Sequence, residues 1–401
     1  MEADIIIVGA GLVGATLAIA LAKKTAFSIL VLEANAIEHT WSNEHYHHRV
    51  SAIALSSQRI FQSIDVWDAI KHKRVSPYTN MYVWESSSAS DIHFNAHDIA
   101  EPALGWIIEN NAMQTSLHEK LKQYPQITLI SPVELQTCHV DDDGVTMTSN
   151  DHREFRGRLA VAADGANSWL RQSAGIEVDV QDYHQQAIVA TVTTEKNHAQ
   201  TARQIFLKDG PLAFLPLQES RTSSIVWSMP ASEIKKITML SDEDFCHALA
   251  KAFDYRLGDV LSVSDRHHFP LRAQQASHYV KNRLALVGDA AHTMHPLAGQ
   301  GVNIGLLDAA SLAQVLSEAT QKRRDIASTT ILRKYERWRK ADNVTLLWGV
   351  DRIKALFASD ATSIKSLRAF GLSLTEKSPL LKNKFIYHAV GIRDDLPEMA
   401  R

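Results

Sequence analysis

The sequence predicts an α/β fold: a doubly wound, nucleotide-type sheet interrupted by an antiparallel β-sheet and followed by a helical C-terminal region. Three observations predict it. An apolar run at residues 4–8 (DIIIV) passes through a glycine turn into a helical pattern reaching Lys24, then into a second apolar run at 28–33 (SILVLE). Strand, turn, helix and strand in that order open a doubly wound sheet. Residues 185–230 then hold AIVATVT, RQIFL, LAFLPL and SSIVWSM between polar turns, a spacing that suggests antiparallel strands. A buried run at 284–287 (LALV) restores the first pattern, and helices follow it.

Between these landmarks, residues 49–70 carry Ile53, Leu55, Ile60, Ile64 and Trp67 at helix-like positions. Residues 110–123 read as a further helix, while 127–130 (ITLI) and 158–163 (RLAVAA) read as strands. A helix is expected from about 303 to 318, and the chain from 328 onward reads as helices. The nucleotide-type domain is thus discontinuous, over 1–75, 100–180 and 280–330. The β-sheet domain takes 76–99 and 181–279, and the helical region takes 331–401.

A chain of 401 residues has room for a sizeable core. Its 45% hydrophobic and 22% charged content is that of an ordinary globular protein. The net charge of −3 gives no global field for nucleic acid. Cys138 and Cys246 are the only cysteines and form no CxxC pair, which argues against a disulfide framework or a zinc site and fits a reducing compartment. The N-terminus MEADIIIVGAG lacks a basic region, and no apolar run approaches the ~20 residues of a spanning helix. A cytoplasmic protein is expected. Charge is uneven, with twelve Lys/Arg against five Asp/Glu from Arg333 to Lys384. That section suggests contact with an anionic surface, the alternative being a solvated helix face.

Three motifs carry chemistry. In Gly9-Ala10-Gly11-Leu12-Val13-Gly14, Gly9 permits a tight turn, Gly11 lets a pyrophosphate approach the backbone, and Gly14 lets the helix pack on the sheet. The helix N-terminus adds free N–H groups and a positive dipole end. Glu33 ends the second strand roughly 20 residues on, where an acid accepts hydrogen bonds from ribose hydroxyls. The second motif is Asp164-Gly165-Ala166-Asn167-Ser168-Trp169-Leu170-Arg171, an apolar strand ending at a helix start. It also reads as an ordinary capped helix, with Arg171 two turns along to brace the loop.

The third motif is GDAAHTMHPLAGQGVN, residues 288–303. Gly288-Asp289 ends a strand, where a carboxylate holds a polyol hydroxyl. Pro296 stiffens a loop. Gly299, Gly301 and Gly305 let the backbone lie against something flat, and Asn303 opens a helix whose N–H groups stabilise negative charge on a ring. His292 and His295 form an HxxH pair, but with 19 histidines such a pair arises by chance, and no third or fourth ligand accompanies it. No metal is expected.

In this order and spacing, GxGxxG…E, DGxxSxxR and GDAAHxxxPxxGQGxN resemble the three fingerprints of class A flavoprotein monooxygenases, the p-hydroxybenzoate-hydroxylase-like group. More closely the chain resembles the ubiquinone-biosynthesis hydroxylases, through RVSAIALSS (49–57), VWDAI (66–70), IIENNAMQ (107–114), AADGANSWLRQ (162–172), AFLPL (213–217), SIVW (224–227) and LVGDAAHTMHPLAGQGVN. The resemblance covers nearly the whole chain. It implies a Rossmann-like FAD-binding domain with an antiparallel substrate domain. Asp289 would bind the ribityl chain, Arg49 and Gln114 the phosphate or ribityl region, and Asp164 and Arg171 the dinucleotide or a visiting NADH or NADPH. Pro296, Gly299 and Gly301 would line the ring face where oxygen reacts, with no acid or base assigned.

By the same resemblance, a polyprenyl phenol or quinol intermediate of ubiquinone is hydroxylated with O2 through a flavin C4a-hydroperoxide, the cofactor carrying the hard step. Phe206, Phe214, Leu215, Leu217 and Trp227 are candidates for an apolar substrate wall, or for sheet core. Leu332, Tyr335, Trp338, Leu346 and Ile353 fall near one helical face beside Arg333, Lys334, Arg337, Arg339 and Lys340. Such a face packs on the body, touches the inner membrane peripherally, or meets other ubiquinone-biosynthesis proteins. Alternatives are a hydroxylase of a small soluble phenol and a non-catalytic flavin-binding assembly subunit. A flavin halogenase is disfavoured, since Ile225–Pro230 lacks the paired tryptophans of that family.

Overall fold

The computed structural model describes residues 1–37, 41–86, 91–293, 301–358, 387 and 390–401, with the backbone alone over 345–358. Strand Glu2–Val8 lies inside an eight-stranded sheet. Its Ile5, Ile6 and Ile7 are wholly buried, as a parallel strand covered on both faces requires. Ile29–Leu32 and Glu154–Ala162 flank it in parallel, followed outward by Ile127–Ile130 and Leu284–Leu286. Val8 is in register with Leu32 and Ala162, and Ala162 with Leu286. All three motifs therefore leave the sheet at one carboxyl edge, the place where open α/β sheets bind ligands.

Helix Leu12–Lys24 packs behind this edge with nine residues buried. Two glycines make that packing feasible. Gly9 has φ +104°, which side chains rarely adopt, and a Cβ on Gly14 would stand 2.0 Å from the Gly9 carbonyl oxygen.

The second sheet has nine strands: Asp91–Asn95, Asn80–Glu85, Thr201–Leu207, Gly210–Pro216, Thr222–Pro230, Val178–Thr194, His267–Ala276 and His292–Thr293 in spatial order, with Val260–Val263 beside Val178–Thr194. It is antiparallel except where Thr201–Leu207 runs parallel to Asn80–Glu85. That exception departs from the expected antiparallel sheet. The two strands come from distant chain segments, so no hairpin dictates their direction. One sheet face packs Phe214, Ile225 and Trp227 on Ile234, Phe245 and Leu249 of helices Ala231–Thr238 and Asp242–Ala252. The other turns Ala202, Ala213 and Leu215 towards a small sheet of Val50–Ile53, Gly105–Glu109 and Val75–Tyr78.

Residues 49–70 do not form the single helix expected. Val50–Ile53 is a strand paired with Gly105–Glu109, and helices Leu55–Ser63 and Trp67–Lys71 follow. The apolar spacing there belongs to three short elements, broken at Asp65, whose φ is +55°.

The C-terminal helix Thr329–Ala358 is tied to the parallel sheet by a buried polar network. Asp308, in helix Gly301–Gln321, is fully buried. One of its oxygens accepts from the Gly288 amide at 3.0 Å and meets His292 Nε2 at 2.5 Å. The other accepts from Arg339 Nε at 2.8 Å and Asn343 Nδ2 at 3.4 Å. Arg339 also donates to Asp342 at 2.7 Å and Asn343 at 2.8 Å, and Arg393 grips Asp342 with two more bonds. Arg339 is therefore not one of the surface charges of the C-terminal section, being 1% exposed. Leu332 and Tyr335 pack on the body, Tyr335 donating to the Leu286 carbonyl at 2.7 Å. The side chains of Leu346 and Ile353 lie outside the described residues.

Burial acts to raise the Asp308 pKa, but His292 and Arg339 outweigh it and hold the carboxyl below its ordinary value. A depressed folded-state pKa stabilises the fold above the unfolded carboxyl pKa, and that stability is lost as pH falls through the folded value. Asp308→Ala leaves Arg339 short of a partner and should cost about 3–5 kcal/mol. Urea denaturation at neutral pH checks this, and the gap between wild type and variant should narrow towards acid pH.

Candidate active site

The sheet edge opens into a cavity of about 760 Å³. On its cofactor-type side lie Gly11, Leu12, Val13, Glu33, Asn35, Arg49, Gln114, Gly165, Asp289 and Gly301. Glu33 accepts from the Ala10 amide at 2.8 Å and the Asn35 amide at 3.0 Å. It braces the glycine loop and keeps lone pairs for a ligand. A Cβ on Gly11 would meet nothing within 4 Å, and the same holds for Gly165 and Gly301. These three glycines border open space, unlike Gly9 and Gly14, which border backbone. His118, four residues after Gln114 on helix Asn110–Leu121, holds the Ala10 carbonyl at 2.6 Å.

Asp289 is open to the cavity. Enclosure by protein raises its pKa, partly offset by His292 and Arg49. Its position follows from Gly288, whose φ of +60° turns the chain there and whose amide is anchored on Asp308. Gly305 lets helix Gly301–Gln321 approach, since a Cβ there would lie 2.7 Å from Val13 and 3.1 Å from Gly288.

Other expected site residues sit differently. Asp164 and Arg171 do not line the cavity. Asp164 accepts from the Leu170 amide at 3.1 Å, and Arg171, 4% exposed, donates to the Ala290 carbonyl at 3.0 Å. Arg171 thus braces the loop that carries Asp289. Asn303 does not line the cavity: its side chain donates to the Ala52 carbonyl at 2.8 Å and accepts from the Ala54 amide at 3.0 Å. A short polar side chain in the first turn of a helix readily pairs with nearby backbone, so Gly301 and Val302 face the cavity in its place. Pro296 and Gly299 lie outside the described residues, as does His295.

The opposite wall comes from the second sheet and from segment 41–50. Val189, Ser224, Val226, Phe269, Pro270 and Leu271 line it. Of the two readings of the aromatic residues, sheet core holds for Phe214 and Trp227. Phe214 stacks on Phe253 at 3.9 Å and Trp227 meets Phe245 at 6.1 Å, both on the far face. Side chains alternate along a strand, so Ser224 and Val226 face the cavity while Ile225 and Trp227 turn away. Leu215 and Leu217 share the near face but lie outside the lining, as does Phe206.

Segment 41–50 brings a feature that motif reading missed. His47, His48 and Arg49 line the cavity, and His48 stacks on His267 at 4.2 Å. Burial and then the nearby His47, His267 and Arg49 push the His48 pKa down to about 4. A buried pair holds the segment: Arg74 donates to Glu109 at 2.9 and 3.1 Å and to the carbonyls of Ser42, Asn43 and His45. The signal in the sequence is the run HYHHR, three histidines immediately before Arg49.

Among the described residues no cluster of three or more His, Cys, Asp or Glu is placed to hold a metal. His292 is held by Asp308.

Residues 2–345 match the FAD binding domain family. Ubiquinone hydroxylase UbiL of Rhodospirillum rubrum is 38% identical over 399 residues, spanning 100% of this chain and 92% of the relative. The chain belongs to the ubiquinone-biosynthesis hydroxylases of this family. The Escherichia coli 3-demethoxyubiquinol 3-hydroxylase is 35% identical over 389 residues, or 97% and 98% of the two chains. The Pseudomonas putida p-nitrophenol 4-monooxygenase PnpA shares the fold with a TM-score of 0.78 at 17% identity, covering 97% of this chain and 98% of that one.

This flavoprotein's cavity suits FAD on its own geometry. Open space at Gly11, beside the N-terminus of helix Leu12–Lys24, matches a pyrophosphate. Carboxylates at Glu33 and Asp289 face the same cavity and match sugar and polyol hydroxyls. Gly11→Val should fold normally yet lose bound flavin, because a Cβ there meets no protein atom within 4 Å and Gly11 lines the cavity. Absorbance of the purified variant reads this, and full occupancy would count against the pyrophosphate site. Asp289→Ala should keep the fold and weaken flavin retention by roughly tenfold, the loss of one or two hydrogen bonds to a polyol. Dialysis followed by flavin quantification measures it.

Proposed function

We propose that this protein hydroxylates the aromatic ring of a polyprenyl phenol or quinol intermediate of ubiquinone, using FAD, O2 and NADH or NADPH. The observation that carries the reading is the full-length similarity to curated ubiquinone hydroxylases, joined to a cavity that runs from the FAD edge to an apolar sheet wall. Bound FAD supplies the oxygen activation and transfer that no side chain performs. The chain's own residues bind and orient. Amides at Gly11 and the following helix turn meet the pyrophosphate, Glu33 the ribose, and Asp289 with Arg49 and Gln114 the ribityl and phosphate region. Gly301 opens a helix whose N-terminus meets the ring system, favouring negative charge there. The wall of Val189, Val226 and Leu271 excludes water and holds an aromatic ring near the flavin.

The chain carries one GxGxxG, which FAD takes in this reading. The nicotinamide donor then docks transiently, without a Rossmann domain of its own. Substrate prenyl chains reside in lipid, and a peripheral encounter with an anionic surface fits the exposed Lys322, Arg323, Arg324, Arg333, Lys334 and Arg337 around one helix hairpin. No described helix is long and apolar enough to cross a membrane.

Deleting the gene and profiling quinones in lipid extracts tests the proposal. A prenylated intermediate lacking one ring hydroxyl should accumulate while ubiquinone falls. An unchanged ubiquinone pool, with purified enzyme turning over a small soluble phenol, would overturn it.

A further inference from the structure

Strand Thr222–Pro230 presents Ser224 to the cavity. Ser224 is 2% exposed. No hydrogen bond reaches its hydroxyl among the described residues, and the residue lines the cavity. Its neighbours in the wall are apolar: Val226 two residues along, Val189 on the adjacent strand, and Leu271 beyond. Some other polar groups of the lining are engaged, although Thr293 Oγ1 and Asn111 Oδ1, away from this strand, also lack a partner among the described residues. Ser51 donates to Asn110 at 2.7 Å, and Arg272 pairs with Asp182 at 3.2 Å. Ser223, next in the strand, is buried with its hydroxyl unpartnered but lies outside the lining.

A buried hydroxyl facing a cavity without a protein partner is satisfied when a ligand oxygen arrives. One polar atom set in an apolar wall is the usual means by which such a pocket fixes the orientation of a largely apolar ligand. We propose that Ser224 is the positioning residue that hydrogen-bonds the ring hydroxyl of the phenol or quinol. This assignment rests on the ring-hydroxylase reading above and deepens it. The serine hydroxyl accepts from or donates to the ring oxygen, while Val189 and Val226 contact the ring carbons. The bond fixes which edge of the ring meets the flavin, so its loss affects coupling as well as affinity.

The test uses the flavin-loaded enzyme, with ortho-prenylphenol and its O-methyl ether as probes, titrated by the change in flavin fluorescence. Wild type should bind the phenol about tenfold more tightly than the ether, the equivalent of one hydrogen bond. Ser224→Ala should bind both alike, at the affinity of the ether. It should also release more hydrogen peroxide per NAD(P)H oxidised, at wild-type flavin content. Ser224→Thr, which keeps a hydroxyl, should restore the preference, and Ser223→Ala should retain it. If Ser224→Ala keeps the tenfold preference, or Ser223→Ala loses it equally, the assignment is overturned. If wild type binds neither probe, the ring-hydroxylase reading fails and the assignment falls with it.

Discussion

The carboxylate of Asp308 is the interaction on which the site depends. It is buried, charged and central. Burying a carboxylate is unfavourable unless charge and hydrogen bonds compensate, and here four groups from two other parts of the chain converge on it. The Gly288 amide and His292 come from the loop bearing Asp289. Arg339 and Asn343 come from the C-terminal helix. One acid therefore fixes the turn that presents the cavity-facing Asp289 and docks the helix that covers the sheet.

Around that anchor the protein divides its labour between two sheets. The parallel sheet contributes a common edge, where Val8, Leu32, Ala162 and Leu286 end in register. Loops leaving that edge converge without long excursions, and Glu33 joins two of them by accepting from the Ala10 amide. The second sheet contributes a wall. Its far face is committed to packing on two helices, which leaves its near face free to border the cavity. A hydroxylase needs both surfaces, one to hold a polar dinucleotide and one to hold an apolar ring away from water.

Segment 41–50 closes the space between them. The chain there has little regular structure, yet Arg74 and Glu109 hold it through a buried bidentate pair and three backbone carbonyls. The His48–His267 stack joins this segment to the second sheet.

The sequence by itself determined the doubly wound core, the order of the three motifs and the cofactor class. These depend on local rules: apolar runs, glycines beside turns, and an acid at a strand end. Gly11, Glu33, Asp289 and Gly301 were legible because their neighbours in sequence define their geometry. Only the tertiary structure decided what rests on contacts between distant segments. It set Arg339 inside the protein against Asp308, 31 residues away, although both a buried and an exposed arginine look alike in a basic helix. It turned Asn303 to the backbone of Ala52 and Ala54, and Arg171 to Ala290. It also decided which strand face borders the cavity. Alternation says that Ser224 and Trp227 point opposite ways, but not which way is inward, and that choice is made by the helices that cover the other face.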